Sequence, residues 1–122
     1  MIAIRQVLLV EDEPLVASLV TDILGDFGYG VIGATTARAA LEFAADGIGA
    51  FEFAIVDLGL PDRNGADLVV DLRVRRSDLP IIVATGYDDD RSHLGEMTRL
   101  ALIRKPYSSD QLKAAIDAVI AA

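Results

Sequence analysis

The chain has 122 residues, 52% of them hydrophobic and 25% charged, with no cysteine and a formal net charge of −8. That size suits one ordinary domain, 1–122, and the composition excludes disorder, a disulfide framework and a thiolate metal site. So acidic a surface disfavours nucleic acid and favours basic partners or cations; with no apolar run near the ~20 residues of a membrane span and no signal-peptide pattern in residues 1–10, a cytoplasmic protein with no membrane partner is expected.

Short apolar runs alternate with helical patterns five times. Val7-Leu8-Leu9-Val10 reads as a strand buried on both faces. Leu15, Leu19, Ile23 and Phe27 then recur at helical spacing, with Val16, Val20 and Leu24 beside them. Pro14 suits the first turn of that helix and Gly28 its end. Residues 29–34 form the second strand, and Thr35 or Thr36 caps a helix with Ala37, Ala40, Leu41 and Ala44 on its apolar face. Residues 51–56 form the third strand, ending at Asp57. Pro61 to Gly65 is a turn, and a third helix spans about 66–75 with Leu68, Val69 and Leu72 inward. Arg73, Arg75 and Arg76 read as its solvated end, where cations suit the helix dipole.

Pro80 opens the fourth strand, 81–84. The segment 88–99 reads as a short fourth helix, thin in apolar residues beyond Leu94 and Met97 and weakened by Gly95. The fifth strand covers 101–104. Ser108 caps a fifth helix carrying Leu112, Ile116, Val119 and Ile120. Five β-α units in succession imply an α/β fold, a doubly wound five-stranded parallel sheet with five helices on its two faces.

Ligands in such a sheet bind beyond the carboxyl ends of the strands. The first strand ends in Glu11-Asp12-Glu13, the third in Asp57, the fourth in Thr85 and the fifth in Arg104-Lys105-Pro106. Carboxylates, a hydroxyl and an ammonium therefore converge on one edge. Clustered carboxylates repel unless a cation lies among them. Oxygen ligands without His or Cys suit a hard ion such as Mg²⁺. An aspartate beside such an ion has the means to attack phosphorus and hold an acyl phosphate. Thr85 is placed to donate to a phosphoryl oxygen and Lys105 to neutralise another.

Leu8 to Glu13, Val56-Asp57 with Pro61 and Gly65, Ala84-Thr85-Gly86, and Lys105-Pro106 occur in that order on alternating strands. Over essentially its whole length the chain resembles a response-regulator receiver domain, the CheY-like, flavodoxin-like fold with strand order 2-1-3-4-5. The resemblance implies that Asp57 accepts phosphate from a histidine kinase or a histidine phosphotransfer protein. It implies that Glu11 and Asp12 form the acidic pair and that Gly59 gives a backbone carbonyl to Mg²⁺ or Mn²⁺. It also implies a cis peptide at Lys105-Pro106, and leaves another response regulator as a further partner. Residues 80–87, Pro-Ile-Ile-Val-Ala-Thr-Gly-Tyr, are similar to the signature of the FATGUY group of single-domain receivers, except that Val83 stands where that group has Phe.

Two departures stand out. Glu11 replaces the commoner aspartate, a longer arm that still reaches a metal. Leu102 stands where receivers carry the Tyr or Phe that reports activation, so Tyr87 and residues 88–90 are expected to carry any switch.

Plainer readings exist for each group. Asp57 at a strand end serves to cap a turn, and residues 11–13 serve to cap the first helix. His93 reads as an exposed residue of the weak helix, Tyr87 as its packing partner, and Asp88 to Asp90 as a solvated helix start. At the level of the whole chain, the rivals are a pseudo-receiver acting as a constitutive interaction module, a receiver excised from a hybrid histidine kinase, and a small hydrolase with an aspartyl-phosphate intermediate. Gly59 argues against the last, because such enzymes place an acid/base aspartate there. No enzymatic activity is expected beyond the domain's own phosphorylation and dephosphorylation.

Overall fold

A computed structural model describes residues 5–86, 94 and 97–121. Tyr87, His93 and Asp88 to Asp90 lie outside the described residues, as does most of the expected helix over 88–99. Its two apolar residues are described: Leu94 is buried and Met97 half-buried, both against the main body of the core.

The elements in chain order are strand β1 (Arg5–Val10), helix α1 (Pro14–Asp26), strand β2 (Tyr29–Ala34), helix α2 (Ala37–Gly47), a 3-10 turn (Ile48–Ala50), strand β3 (Phe51–Asp57), helix α3 (Gly65–Arg75), strands β4 (Ile81–Thr85) and β5 (Leu100–Arg104), and helix α4 (Ser109–Ala121). The sheet has five parallel strands in the order β2-β1-β3-β4-β5. This is the expected flavodoxin-like order, with four α-helices among the described residues where the sequence pattern has five.

Alternation along the strands sends successive side chains to opposite faces. Leu8, Val10, Ala54, Val56, Ile81 and Val83 pack with residues of α2 and α3. Val7, Leu9, Phe53, Ile55, Ile82 and Ala84 pack with residues of α1 and α4. Both faces are covered, which is why the strands read as unbroken apolar runs rather than alternating ones.

The helix ends follow their local chemistry. Thr36 caps α2, its hydroxyl accepting from the Ala39 N–H at 3.0 Å. Asn64 caps α3 at 2.8 Å from the Ala66 N–H. Ser108 and Gln111 form a reciprocal capping box at α4, with bonds of 2.8 and 3.1 Å. Gly28 has φ of +94°, the left-handed conformation that stops α1 and that a side chain would oppose.

On α1 Val20 and Leu24 are buried, while Leu15 and Leu19 are 76% and 58% exposed. One expectation needs correction: the arginines at the end of α3 are not simply solvated. Arg73 donates to the carbonyls of Leu79 at 2.7 Å, Thr98 at 2.6 Å and Arg99 at 2.8 Å. Arg76 donates to the Phe51 carbonyl at 2.7 Å and the Ile48 carbonyl at 3.2 Å. These guanidinium groups satisfy loop carbonyls where the strands begin, at the end of the sheet opposite the acidic cluster. Arg75 is exposed, as expected.

Candidate functional site

Strand register brings the strand-end residues together. Val10 pairs with Val56, Asp57 with Ala84, and Thr85 with Arg104. The residue that follows each apolar run therefore emerges on one edge of the sheet. The Glu11 N–H donates to the Ala34 carbonyl at 3.0 Å and the Lys105 N–H to the Thr85 carbonyl at 2.9 Å, extending the ladder past the strand ends. The Lys105-Pro106 peptide is cis, as the resemblance implied.

Glu11, Asp57 and Thr85 are the buried polar residues among those described, and Asp12 is half-buried. Glu11, Asp12 and Asp57 each bring a carboxylate oxygen to within 4.8 Å of the others. The Lys105 ammonium lies 3.0 Å from Asp57 Oδ2 and 3.1 Å from Glu11 Oε1. The Gly59 N–H donates to Asp57 Oδ1 at 2.9 Å, and the Glu13 N–H to Glu11 Oε2 at 3.1 Å. The side chain of Glu13, at the N-cap of α1, makes no capping bond, and the first turn carries no acid. Capping therefore does not account for the acidic run.

Electrostatics separate the two buried carboxylates. Burial pushes Glu11 up to about 7; the Asp57 charge adds to this, while the Glu13 N–H and Lys105 oppose it. Burial would raise Asp57 too, but the Gly59 N–H and Lys105 outweigh it and hold that carboxyl below the usual range. Lys105 is held above its ordinary value by the two carboxylates, despite its burial. In the metal-free protein Asp57 is thus the ionised member of the pair and Glu11 the one that keeps a proton near neutrality. Three crowded oxygen donors, one with a raised pKa, are a set that a hard divalent cation relieves. They fit Mg²⁺ or Mn²⁺ and offer nothing to a softer metal.

Tyr107, beside the cluster, and Asp62, on the loop after β3, were not singled out from the sequence, whereas Gly65 was read there as a turn residue and a piece of the family pattern. Tyr107 is half-buried, its phenol pushed up to about 12 by burial and by Glu11. Gly65 lies so close that a β-carbon there would overlap the Asp57 carbonyl oxygen and the Leu58 Cα. Asp62 accepts two backbone N–H bonds from α2. The sequence marks Gly65 as a turn glycine, but contact with Asp57 across the loop has no local signature. Leu102 lies on β5, half-exposed and in register with Val83 of β4.

A groove of about 400 Å³ adjoins the cluster and shares Lys105 with it. It runs along α1 past Val16, Leu19, Val20 and Ile23 to Pro106 and Tyr107.

A family model described as the response regulator receiver domain matches residues 7–117. The chain is 37% identical over 120 residues to the sensory transduction protein RegX3 of Mycobacterium bovis, covering 93% of this chain and 50% of that protein. It is 29% identical over 117 residues to the transcriptional regulatory protein CiaR of Streptococcus pneumoniae, covering 94% of this chain and 51% of that one. The chain therefore spans about half the length of the curated relatives it matches. Among solved structures, a response regulator receiver domain protein from Clostridium thermocellum superposes with a TM-score of 0.87 at 21% identity, covering 97% of this chain and 95% of that one. The signal receiver domain of a signal transduction histidine kinase from Syntrophus aciditrophicus superposes with a TM-score of 0.82 at 24% identity, covering 96% and 90%. These two likenesses concern the fold alone. With the family match running from β1 into α4 and every acidic strand end inside it, the chain belongs to the family of response regulator receiver domains, homologous to two-component response regulators.

Proposed function

We propose that this receiver accepts a phosphoryl group on Asp57 and signals through contacts of its surface with other proteins. The observation that carries this reading is the geometry at Asp57. It is a buried, ionised carboxylate with one oxygen bonded to a backbone N–H and the other to an ammonium, inside a three-carboxylate cluster. Glu11, Asp12, Asp57 and the Gly59 carbonyl are the groups that would hold Mg²⁺ or Mn²⁺, which supplies charge neutralisation for the incoming phosphoryl group.

In the reaction an Asp57 oxygen attacks phosphorus and forms the acyl phosphate as the bond to the donor nitrogen of a phosphohistidine breaks. The imidazole leaves with its electron pair and takes a proton. Lys105, already on Asp57, offsets the charge of a phosphoryl oxygen, and the Thr85 hydroxyl is the donor for another. The phosphodonor is a histidine kinase or a histidine phosphotransfer protein, and another response regulator is a further partner. Tyr87 and Leu102 are assigned to the switch: Leu102 has no ring to turn inward, so Tyr87 takes the reporting role.

The test is uptake of acid-labile phosphate from phosphoramidate. Wild type is expected to label only with Mg²⁺ or Mn²⁺ present, and Asp57→Asn not at all. Failure of wild type to label would overturn the reading.

A further inference from the structure

The loop between β3 and α3, residues 58–64, has no regular structure, yet it carries Gly59. From its middle Asp62 reaches the start of α2. The Ala37 N–H donates to Asp62 Oδ1 at 2.9 Å and the Arg38 N–H to Oδ2 at 3.0 Å. These are the first two N–H groups of α2, and helix geometry leaves them without an intrahelical acceptor. A carboxylate is the favoured occupant there, because it also meets the positive end of the helix dipole. The backbone N–H bonds from Ala37 and Arg38 hold Asp62 below the usual carboxylate range, so it stays ionised at neutral pH.

Capping alone does not require a residue from so far away. Thr36 already caps α2 from within the local sequence, by its bond from Ala39. The Asp62 bonds differ in joining two segments about 25 residues apart. They fix the loop to a helix that is itself packed on the sheet through Ala37, Ala40 and Ala44. Elsewhere the loop is held by the Gly65 N–H on the Leu58 carbonyl at 3.0 Å, by burial of Leu60, and by the Arg63–Asp71 ion pair at 2.9 Å. On the near side of Gly59 the Leu58 N–H donates to the Ala84 carbonyl of β4 at 3.1 Å; on the far side Asp62 is the residue whose side chain ties the loop to α2.

We infer that Asp62 is a positioning residue: by capping α2 it holds the loop after Asp57 so that the Gly59 N–H stays on Asp57 Oδ1. Its consequence for metal and phosphoryl binding rests on the phosphoacceptor reading above, whereas its consequence for the loop does not. Without Asp62 the loop gains freedom, Gly59 spends more time off Asp57, and the site is less organised before any ligand arrives.

The experiment compares Asp62→Ala, Asp62→Asn and Thr36→Ala with wild type. Thr36→Ala removes a cap bond from the same helix without touching the loop. The first readout is amide hydrogen exchange in the metal-free protein, followed at Gly59. Asp62→Ala is expected to speed exchange there about tenfold through local opening, and Thr36→Ala to leave it near wild type while loosening α2. Asp62→Asn keeps one acceptor oxygen and falls between. The second readout is titration with Mg²⁺ alone, where Asp62→Ala is expected to bind several-fold more weakly and Thr36→Ala unchanged. Equal Gly59 exchange in Asp62→Ala and Thr36→Ala, or wild-type exchange in both, would overturn the inference and leave Asp62 a helix cap. If wild type takes up neither Mg²⁺ nor a phosphoryl group, the phosphoacceptor reading fails, and the exchange comparison still decides the role of Asp62.

Discussion

The ammonium of Lys105 stands 3.0 Å from the carboxylate of Asp57, reaching it from the loop beyond β5 on the far side of β4. The same nitrogen touches Glu11, so one cation compensates two buried acids. Lys105→Met keeps the stem and removes the charge. The carboxylates then face each other uncompensated, and the metal-free protein should lose about 1–3 kcal/mol at pH 8, less at pH 5 where Glu11 is protonated. Urea unfolding at the two pH values checks this. Mg²⁺ should restore most of the loss and bind Lys105→Met more tightly than wild type, because no ammonium repels it, while phosphorylation slows.

The raised Glu11 pKa sets an unusual pH dependence. The native state keeps a proton on Glu11 up to about 7, where the unfolded chain gives it up near 4.5. Its contribution to stability is therefore full below 4.5 and is lost as pH rises through about 7. The total for a shift of this size is on the order of 3 kcal/mol. Asp57 acts in the opposite sense in a lower window, its contribution being lost only as pH falls below its unfolded value of 3.8. Lys105, raised, contributes fully below 10.5 and adds no slope between these windows. Metal-free wild type should become less stable from pH 5 to 7.5, and Glu11→Gln should flatten that slope. Mg²⁺ needs the ionised form, so its affinity should rise over the same range and binding should release a proton.

The exposed side of α1 offers a separate test. Leu19 is 58% exposed and lines the groove that shares Lys105 with the carboxylate cluster. A protein that delivers a phosphoryl group to Asp57 has to approach over this edge, whereas a small donor does not. Leu19→Glu should leave stability within about 0.5 kcal/mol of wild type, as surface substitutions do. It should leave uptake from phosphoramidate unchanged and slow transfer from a phosphorylated histidine kinase. Equal slowing with both donors would count against the groove as the donor's path.

Gly65→Ala should be far more damaging than its size suggests. The added methyl would overlap the Asp57 carbonyl and the Leu58 Cα, which are backbone atoms with no rotamer to yield. Overpacking of this kind costs about 1–3 kcal/mol. Thermal unfolding should show that loss, and on the proposed function phosphoramidate labelling should fall with it because the strain lands on Asp57.

Much of this was legible in the residues themselves. Runs such as Val7 to Val10 and Ile81 to Ala84 are short and apolar without alternation, which marks a doubly covered parallel strand. The polar residue that follows each run then falls on the functional edge. Thr36 and Ser108 announce their caps locally. What escaped was set by tertiary geometry. Leu15-Leu19-Ile23 and Val16-Val20-Leu24 are equally good helical stripes, and only the roll of α1 on the sheet selects the second. Arg73 and Asp62 find backbone partners that no local pattern announces, at Thr98 and Arg99 and at Ala37 and Arg38.

The sheet is also a partition. Leu8 and Val10 belong to one core, Val7 and Leu9 to the other, and backbone hydrogen bonding seals the two from each other. Cavities opened on opposite sides, as in Phe53→Leu with Leu68→Ala, should cost close to the sum of the single changes. Each half of the interior is then free to drift under its own packing constraints. Glu11, Asp12, Asp57, Thr85 and Lys105 stand at the strand ends, on the rim that both halves share.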